Sequence, residues 1–308
     1  MVDYFDLKKF SDDVYSYSGK KMADGPAENI TFGGLVLAQA LCAAEKTVTE
    51  KYRPHTAHTY FARAVDSRLP IEYHIRRPKD GGLVCIRDAD CIQKGHIAAT
   101  FHFAFHSVTD KIDDSGVSIL EPMPDAPSPD DCISKKQMSL KILEEANNGN
   151  LTVPKGLEAA LLSTARHKQE QLLFQWRSCD ANEVVGLYEP TVNNTIRMWS
   201  KTLPSPKKLS PKEHLYMLGF AIDAAFPIVA MTPYFLKDRE FTAFGSLDLT
   251  VRYHKLDVNV DEWHLIECRM VRAGDFAVVM EGRVWNQKGE HVATTNQEIF
   301  TRTRKANL

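Results

Sequence analysis

The 308-residue sequence carries almost no net charge: 38 Lys and Arg stand against 40 Asp and Glu, a formal −2. Without a positive field to attract a phosphate backbone, nucleic acid is not expected as a partner. Cysteine is scarce, six residues in all, and no two of them form a Cys-x-x-Cys pair. That excludes a disulfide scaffold for a chain of this size and suits a reducing compartment. The opening residues, Met1-Val2-Asp3-Tyr4-Phe5-Asp6, lack the basic and apolar regions of a secretory signal. Long apolar runs are rare as well. The most apolar one, residues 214–231, is interrupted by Asp223 and Pro227, so no membrane span is expected. Gly-x-Ser-x-Gly, Gly-x-Gly-x-x-Gly and P-loop patterns are missing, which leaves a serine-hydrolase route and a nucleotide cofactor without support.

What is present is an ordinary globular composition, 44% hydrophobic and 25% charged, in a chain long enough for two domains or one large one. The clearest break runs over residues 113–131, where Pro122, Pro124, Pro127 and Pro129 rule out a helix or an inner strand. It reads as an interdomain linker, followed by connecting helices around residues 139–146 and 157–171. The two flanks share one order of signals. In the first, an apolar run over 35–44 reads as a buried helix and is followed by strand-like segments at 58–64, 71–75, 83–92 and 97–107. In the second, an apolar run over 215–231 precedes segments at 245–254, 263–271, 276–286 and 292–302.

Aligning Gln93-Lys94-Gly95 with Gln287-Lys288-Gly289, with one gap after Gly289, makes seven of 13 positions identical. Duplication is the better reading, although Lys-Gly turns recur by chance. This alignment sets His102 against Gln297, and counting from Asp66 and Asp257 sets His55 against Ser246. The chain is expected to comprise an N-terminal repeat over 1–110, a linker with connecting helices over 111–169, and a C-terminal repeat over 170–308.

Asp223 is the residue that stands out. Every neighbour within four positions is apolar or Gly, and desolvation raises a carboxylate toward the range of a general base. An Asp that caps a loop or pairs with an Arg explains the same pattern equally well. Strict alternation from Ser246 to Tyr253 places Ser246 with Asp248, Thr250 and Arg252, on the face opposite the Leu, Val and Tyr side chains. Gln297 lies in the last strand-like segment. Neither would be chosen on the residues alone.

Phe32-Gly33-Gly34 with Gln39-Ala40-Leu41 resembles the type II acyl-CoA thioesterase family, the bacterial thioesterase II and its peroxisomal eukaryotic relatives. The second half carries more of the resemblance: His214-Leu215-Tyr216-Met217-Leu218-Gly219-Phe220-Ala221-Ile222-Asp223, Ser246-Leu247-Asp248, Tyr253-His254-Lys255, Glu262-Trp263 and Val292-Ala293-Thr294-Thr295-Asn296-Gln297-Glu298. It covers residues from about 10 to 302. The resemblance implies an α+β double hotdog, two repeats each with a long helix wrapped by a curved antiparallel sheet. It implies a catalytic set of Asp223, Ser246 and Gln297, with Ser246 where bacterial relatives have Thr. Sheets of this kind commonly associate further, so a homo-oligomer is compatible with it.

Such a trio suits thioester hydrolysis without an enzyme nucleophile. The Asp takes a proton from water that the hydroxyl and amide hold near the carbonyl carbon. Gly33 and Gly34, at a helix start, are the candidate oxyanion donors. His102 with His106, and His55 with His58, invite a metal reading. Positions four apart on a strand are roughly 13 Å apart, too far for one zinc, so no metal is expected. No cofactor is expected either, since coenzyme A belongs to the substrate. Arg63, Arg252, Lys255 and Lys288 are available for its phosphates. The tail Lys305-Ala306-Asn307-Leu308 resembles a peroxisomal address that an import receptor reads, and a peroxisomal location is favoured over a cytoplasmic one.

The expected activity is hydrolysis of fatty acyl-CoA to free fatty acid and coenzyme A. Its rivals are a hotdog enoyl-CoA hydratase or dehydratase, which needs a paired His or Asn, and a non-catalytic acyl-CoA-binding protein.

Overall fold

The computed structural model describes residues 4–18, 29–109, 117–166, 173–179, 195–205 and 208–305. Two helices form its centre. Helix α1 (Gly33–Glu45) has no polar face to offer water, and all of it but Gly33 is buried. Helix α4 (Pro211–Phe235) starts on a reciprocal cap: Ser210 Oγ accepts from Glu213 N at 3.3 Å, and Glu213 Oε2 accepts from Ser210 N at 2.7 Å. Pro211 at its first position needs no N–H there. By length and composition α4 could cross a membrane, yet 83% of its apolar window is buried inside the protein, so the run is that of a core helix.

Around the helices runs one antiparallel sheet of thirteen strands. Its centre holds β3 (Tyr52–Phe61), β4 (Ile71–Lys79), β5 (Val84–Gln93) and β6 (His96–Ser107), then β10 (Arg239–Tyr253), β11 (His264–Ala273), β12 (Ala277–Asn286) and β13 (His291–Lys305). These lie in the order β4-β5-β6-β3-β10-β13-β12-β11. The order reads the same from either end once the second set is renamed as the first. One helix followed by four strands thus occurs twice, and the α+β double hotdog architecture expected from the sequence is the one observed.

The flanks add what the sequence did not signal. Strands β1 (Lys8–Ser11) and β2 (Val14–Tyr17) extend the β4 edge, while β9 (Thr195–Thr202), β8 (Phe174–Ser178) and the two-residue β7 (Ile133–Ser134) extend the β11 edge. Helix α2 (Lys135–Asn147) begins on a Ser134 capping box, and α3 (Lys155–Arg166) follows it. The expected helix over 157–171 is described only to Arg166.

Residues 117–131 do more than join two halves. Trp199 Nε1 donates to Pro127 O at 2.9 Å, Trp285 Nε1 donates to Glu121 O at 3.0 Å, and Arg283 pairs with Glu121 at 2.5 Å. Met123 and Ala126 pack on Trp199, Leu265 and Trp285, a cluster separate from the main core. Leu265 and Trp285 alternate with Ile266 and Val284 of the main core, so the segment straps the sheet face turned away from the helices.

Register fixes how the repeats correspond. Strands β3 and β10 meet at the centre, with His58 opposite Thr250, and His58 Nδ1 lies 3.2 Å from Thr250 Oγ1. In β3 against β6 the pairing shifts between Pro54 and Thr56, and in β10 against β13 it shifts between Ser246 and Asp248. Superposing these irregularities equates Pro54 with Ser246 and, one partner strand over, Phe103 with Gln297. A second pair of irregularities, at Cys91/Ile92 and Val284/Trp285, gives the same offset without a gap. The gap after Gly289 matched more letters but broke the register. His55 and His102 therefore do not stand where Ser246 and Gln297 do.

Candidate active site

Asp223 sits in the middle of α4 with no exposed surface. Its carboxylate receives three donors. Oδ2 accepts from Gly34 N at 2.6 Å, and Oδ1 accepts from Gln297 Nε2 at 2.7 Å and from Ser246 Oγ at 3.1 Å. Gln297 Nε2 also lies 2.8 Å from Ser246 Oγ. The structure thus brings all three residues of the expected set together. Burial pushes the Asp223 carboxyl up to about 6, against the three donors, each of which favours the ionised form. Desolvation is the larger effect.

Ser246 reaches this place by a departure from the alternation read in the sequence. Between Ser246 and Asp248 the β10 register against β13 slips by one residue, a bulge that leaves Leu247 as the extra residue. A bulge re-aims the side chains next to it. Ser246 consequently turns to the helix side, the side of Leu249 and Gln297, instead of sharing a face with Thr250 and Arg252. Asp248 Oδ1 accepts from Glu298 N at 2.9 Å and ties the bulge to β13.

Gly34 is the partner that sequence reasoning assigned to a different task. Its N–H is engaged by Asp223, so it is not available as an oxyanion donor. For Gly33 N–H, the first of α1, no acceptor is found among the described residues. Gly33 and Ser246 are only half-buried, whereas Asp223, Gln297 and Gly34 are buried, so the accessible rim of the site holds one N–H and one hydroxyl. The aromatic ring of Phe61, partly buried, flanks Gly33. A Gly-Gly pair at the start of a mostly apolar helix was the signal for this approach.

Among the described residues the first repeat has no comparable set. Gly33 lies against Phe61 and Asp223, and Gly219 lies against Tyr253 and Leu37. Since Phe61 and Tyr253 correspond by strand register, Leu37 takes the place of Asp223. Leu37, Pro54 and Phe103 stand for Asp223, Ser246 and Gln297, and none can move a proton.

Comparison with known proteins decides the family. The model of the acyl-CoA thioesterase N-terminal domain matches residues 23–106, and that of the acyl-CoA thioesterase C-terminal domain matches residues 161–301, together well over half of the chain. The chain belongs to the acyl-CoA thioesterase family. It is 25% identical to acyl-coenzyme A thioesterase 8 of Mus musculus over 285 residues, 91% of this chain and 82% of that one. Against acyl-CoA thioesterase 2 of Haemophilus influenzae it is 24% identical over 282 residues, 88% and 87% of the two chains. The fold is also that of acyl-CoA thioesterase II TesB2 from Mycobacterium marinum, with a TM-score of 0.72, 23% identity and coverage of 98% and 97%. A hot dog fold protein from Alicyclobacillus acidocaldarius superposes with a TM-score of 0.69 at 17% identity, covering 99% and 98%.

Other sequence candidates stand apart from the carboxylate. His55 stacks on His106 at 3.8 Å, and His102 Nδ1 lies 2.7 Å from Asp88 Oδ1. Among the described residues no group of three or more His, Cys, Asp or Glu is arranged to hold a metal ion. Arg63 Nη1 donates to Ile97 O at 3.0 Å, Lys255 Nζ donates to Glu290 Oε1 at 2.9 Å, and Arg252 is exposed. Among the described residues no hydrogen bond or ion pair joins any of them, or Lys288, to Asp223, Ser246 or Gln297.

Proposed function

We propose that the chain hydrolyses fatty acyl-CoA to free fatty acid and coenzyme A, with Asp223 as general base toward water. The observation that carries this reading is the convergence of a hydroxyl, an amide and a helix-start N–H on one buried carboxylate whose pKa has been raised to about 6. Asp223 takes a proton from water as the oxygen attacks the thioester carbonyl carbon. Ser246 Oγ, at the accessible rim, orients that water. Gln297 Nε2 is shared between Asp223 and Ser246, and its buried Oε1 has no partner among the described residues, which leaves it as an acceptor for the second water proton. Gly33 N–H, at the positive end of α1, faces the charge that develops on the carbonyl oxygen. Collapse of the tetrahedral adduct breaks the C–S bond, and the proton held by Asp223 goes to the departing thiolate.

Release of free thiol from short, medium, long and branched acyl-CoAs tests the reading. Hydration of enoyl-CoA without thiol release would replace it with the hydratase reading, and stoichiometric acyl-CoA binding with neither product would leave a binding protein. The absence of a His or Asn hydrogen-bonded to Asp223 among the described residues favours hydrolysis.

Because the base must be ionised, kcat/KM should rise with pH through about 6 and level off above it. A pH profile taken on one substrate checks this. A flat profile between pH 5 and 7 would remove Asp223 as the titrating base. Ser246→Ala and Gln297→Ala should each lower kcat by on the order of 10²-fold or less, and the double variant should fall well short of the product of the two losses. Both side chains position one water and bond each other at 2.8 Å. Multiplicative losses in the cycle would show that they act separately.

A peroxisomal location, with a cytoplasmic one as the alternative, rests on the Lys305-Ala306-Asn307-Leu308 tail, whose last three residues lie outside the described residues. A short stretch of 51 residues is 37% identical to the Saccharomyces cerevisiae protein named peroxisomal acyl-coenzyme A thioester hydrolase 1.

A further inference from the structure

We infer that Cys132 and Cys179 are a peroxide-sensitive thiol pair that closes into a disulfide and staples the outer strap to the second repeat. All six cysteines carry thiols in this structure. Cys132 ends the strap immediately before β7, and Cys179 follows β8. These two strands pair with Ile133 opposite Ser178 and Ser134 opposite Arg177, and the same register carried one residue further brings Cys132, in the bend that enters β7, alongside Cys179. Cys179 stays in line with the sheet there, its N–H donating to Arg197 O at 3.1 Å.

Residues directly opposite on antiparallel strands hold their Cβ atoms about 4.5–5.5 Å apart, and a disulfide spans about 3.5–4.5 Å. A small approach with side-chain rotation closes the bond. Cys132 Sγ donates to Pro127 O at 3.9 Å, the Cys179 side chain is near enough to lower the Cys132 pKa, and both cysteines touch the cluster of Trp199, Leu265 and Trp285 beneath the strap. No other cysteine is so placed. Cys85 faces Phe105, Cys91 faces Tyr73 and Ala99, and Cys268 faces Ile196 and Gly282 across their strands, while Cys42 lies in α1.

The two sulfurs differ in access, which assigns their order. Cys132 is 4% exposed, whereas Cys179 is half-buried and meets a solute first. The Cys179 thiolate attacks one oxygen of the hydroperoxide, forming an S–O bond as the O–O bond breaks, and the departing hydroxide takes a proton to become water. Cys132 then loses its proton and attacks the sulfenic sulfur. The S–S bond forms, the S–O bond breaks, and hydroxide leaves with that proton as a second water. With hydrogen peroxide, two thiols are oxidised and one peroxide is reduced to two waters. Burial pushes the Cys132 thiol up, the neighbouring Cys179 side chain works against that, the Asp131 carboxylate adds to it, and the guanidinium of Arg177, whose Nη1 donates to Cys132 O at 3.4 Å, opposes it least, so Cys132 is the slower thiol to ionise and follows Cys179.

The test is limited oxidation of the full chain with hydrogen peroxide, followed by non-reducing tryptic digestion and mass spectrometry. The expected result is a cross-linked peptide pair containing Cys132 and Cys179 that forms before Cys42, Cys85, Cys91 or Cys268 reacts and disappears on treatment with dithiothreitol. The folded, oxidised chain should melt several degrees higher than the reduced one, because the bond closes a loop of more than forty residues. In Cys132→Ser, oxidation should stop at a Cys179 sulfenic acid trapped by dimedone. Accumulation of that sulfenic acid in the unsubstituted chain, or oxidation of other cysteines first, would overturn the pairing. An unchanged melting temperature in the cross-linked chain would overturn the staple.

Discussion

Asp223→Asn should lower thiol release by on the order of 10²–10⁴-fold while raising, not lowering, the stability of the fold at neutral pH. The rate follows from the loss of the proposed base, since no second carboxylate or imidazole is hydrogen-bonded into the Asp223, Ser246 and Gln297 set among the described residues. The stability follows from linkage. Folded, Asp223 holds its proton up to about 6, whereas in an unfolded chain it releases it near 4. The folded state therefore binds the proton more tightly, and stability is fully present below about pH 4 and declines as pH rises toward and past 6. Keeping the carboxylate buried and ionised at neutral pH thus costs the fold about 3 kcal/mol. Asn is close to the protonated acid in size and carries no charge to desolvate. Its Oδ1 can still accept from Gly34 N–H, and Gln297 can turn its unpartnered Oε1 toward the new amide. Melting curves of the two chains should thus coincide near pH 4 and separate by several degrees in favour of the variant near pH 8. Near wild-type turnover in a folded variant would eliminate the proposed base, and a variant that melts lower at pH 8 would show that the carboxylate holds the repeats together instead.

How far the sequence reaches depends on which interaction sets each element. Helices α1 and α4 and the eight central strands are legible because each buries an apolar face, and burial leaves a period in the sequence. Strand β1 reads Lys8-Lys9-Phe10-Ser11 with every residue exposed, so it forms by backbone pairing along the β2 edge and leaves no such period. Asp223 is legible because an acid inside an apolar helix is a local anomaly. Alternation puts Ser246 on the wrong face because it assumes an unbroken ladder, and a bulge depends on the partner strand. The partners of the repeats are misassigned for a related reason. A gap in an alignment is free to gain identical letters, whereas a strand register is held by hydrogen bonds along its whole length. The strap over Trp199 and Trp285 is legible only as proline content, since its anchors lie 72 and 164 residues away in the chain.

Gly34→Ala should damage both fold and turnover, and it does so from the repeat that holds no part of the Asp, Ser and Gln set. A methyl group on Gly34 would lie 2.8 Å from Asp223 Cβ and 2.9 Å from Phe220 Cα, so it meets the α4 backbone itself and not a side chain that can turn away. Helices α1 and α4 must then part, and overpacking of this kind costs about 1–3 kcal/mol. Parting stretches the 2.6 Å bond from Gly34 N to Asp223 Oδ2. Losing a donor to the ionised carboxyl raises its pKa further, so the acid limb of the pH profile should move above 6, and a misplaced base should lower kcat by on the order of 10²-fold. Gly33→Ala is the control, since its methyl group would meet the Phe61 ring at 3.0 Å and Asp223 Oδ2 at 3.4 Å, and a ring can shift. It should melt within a few degrees of the unsubstituted chain. Gly34→Ala showing an unmoved acid limb and turnover within a few-fold of the parent would mean that the close approach of the helices does not hold Asp223. With the limb displaced, the first repeat supplies the helix start that seats the proposed base of the second, which gives a physical reason why a chain whose Asp, Ser and Gln set lies in the second repeat keeps both halves.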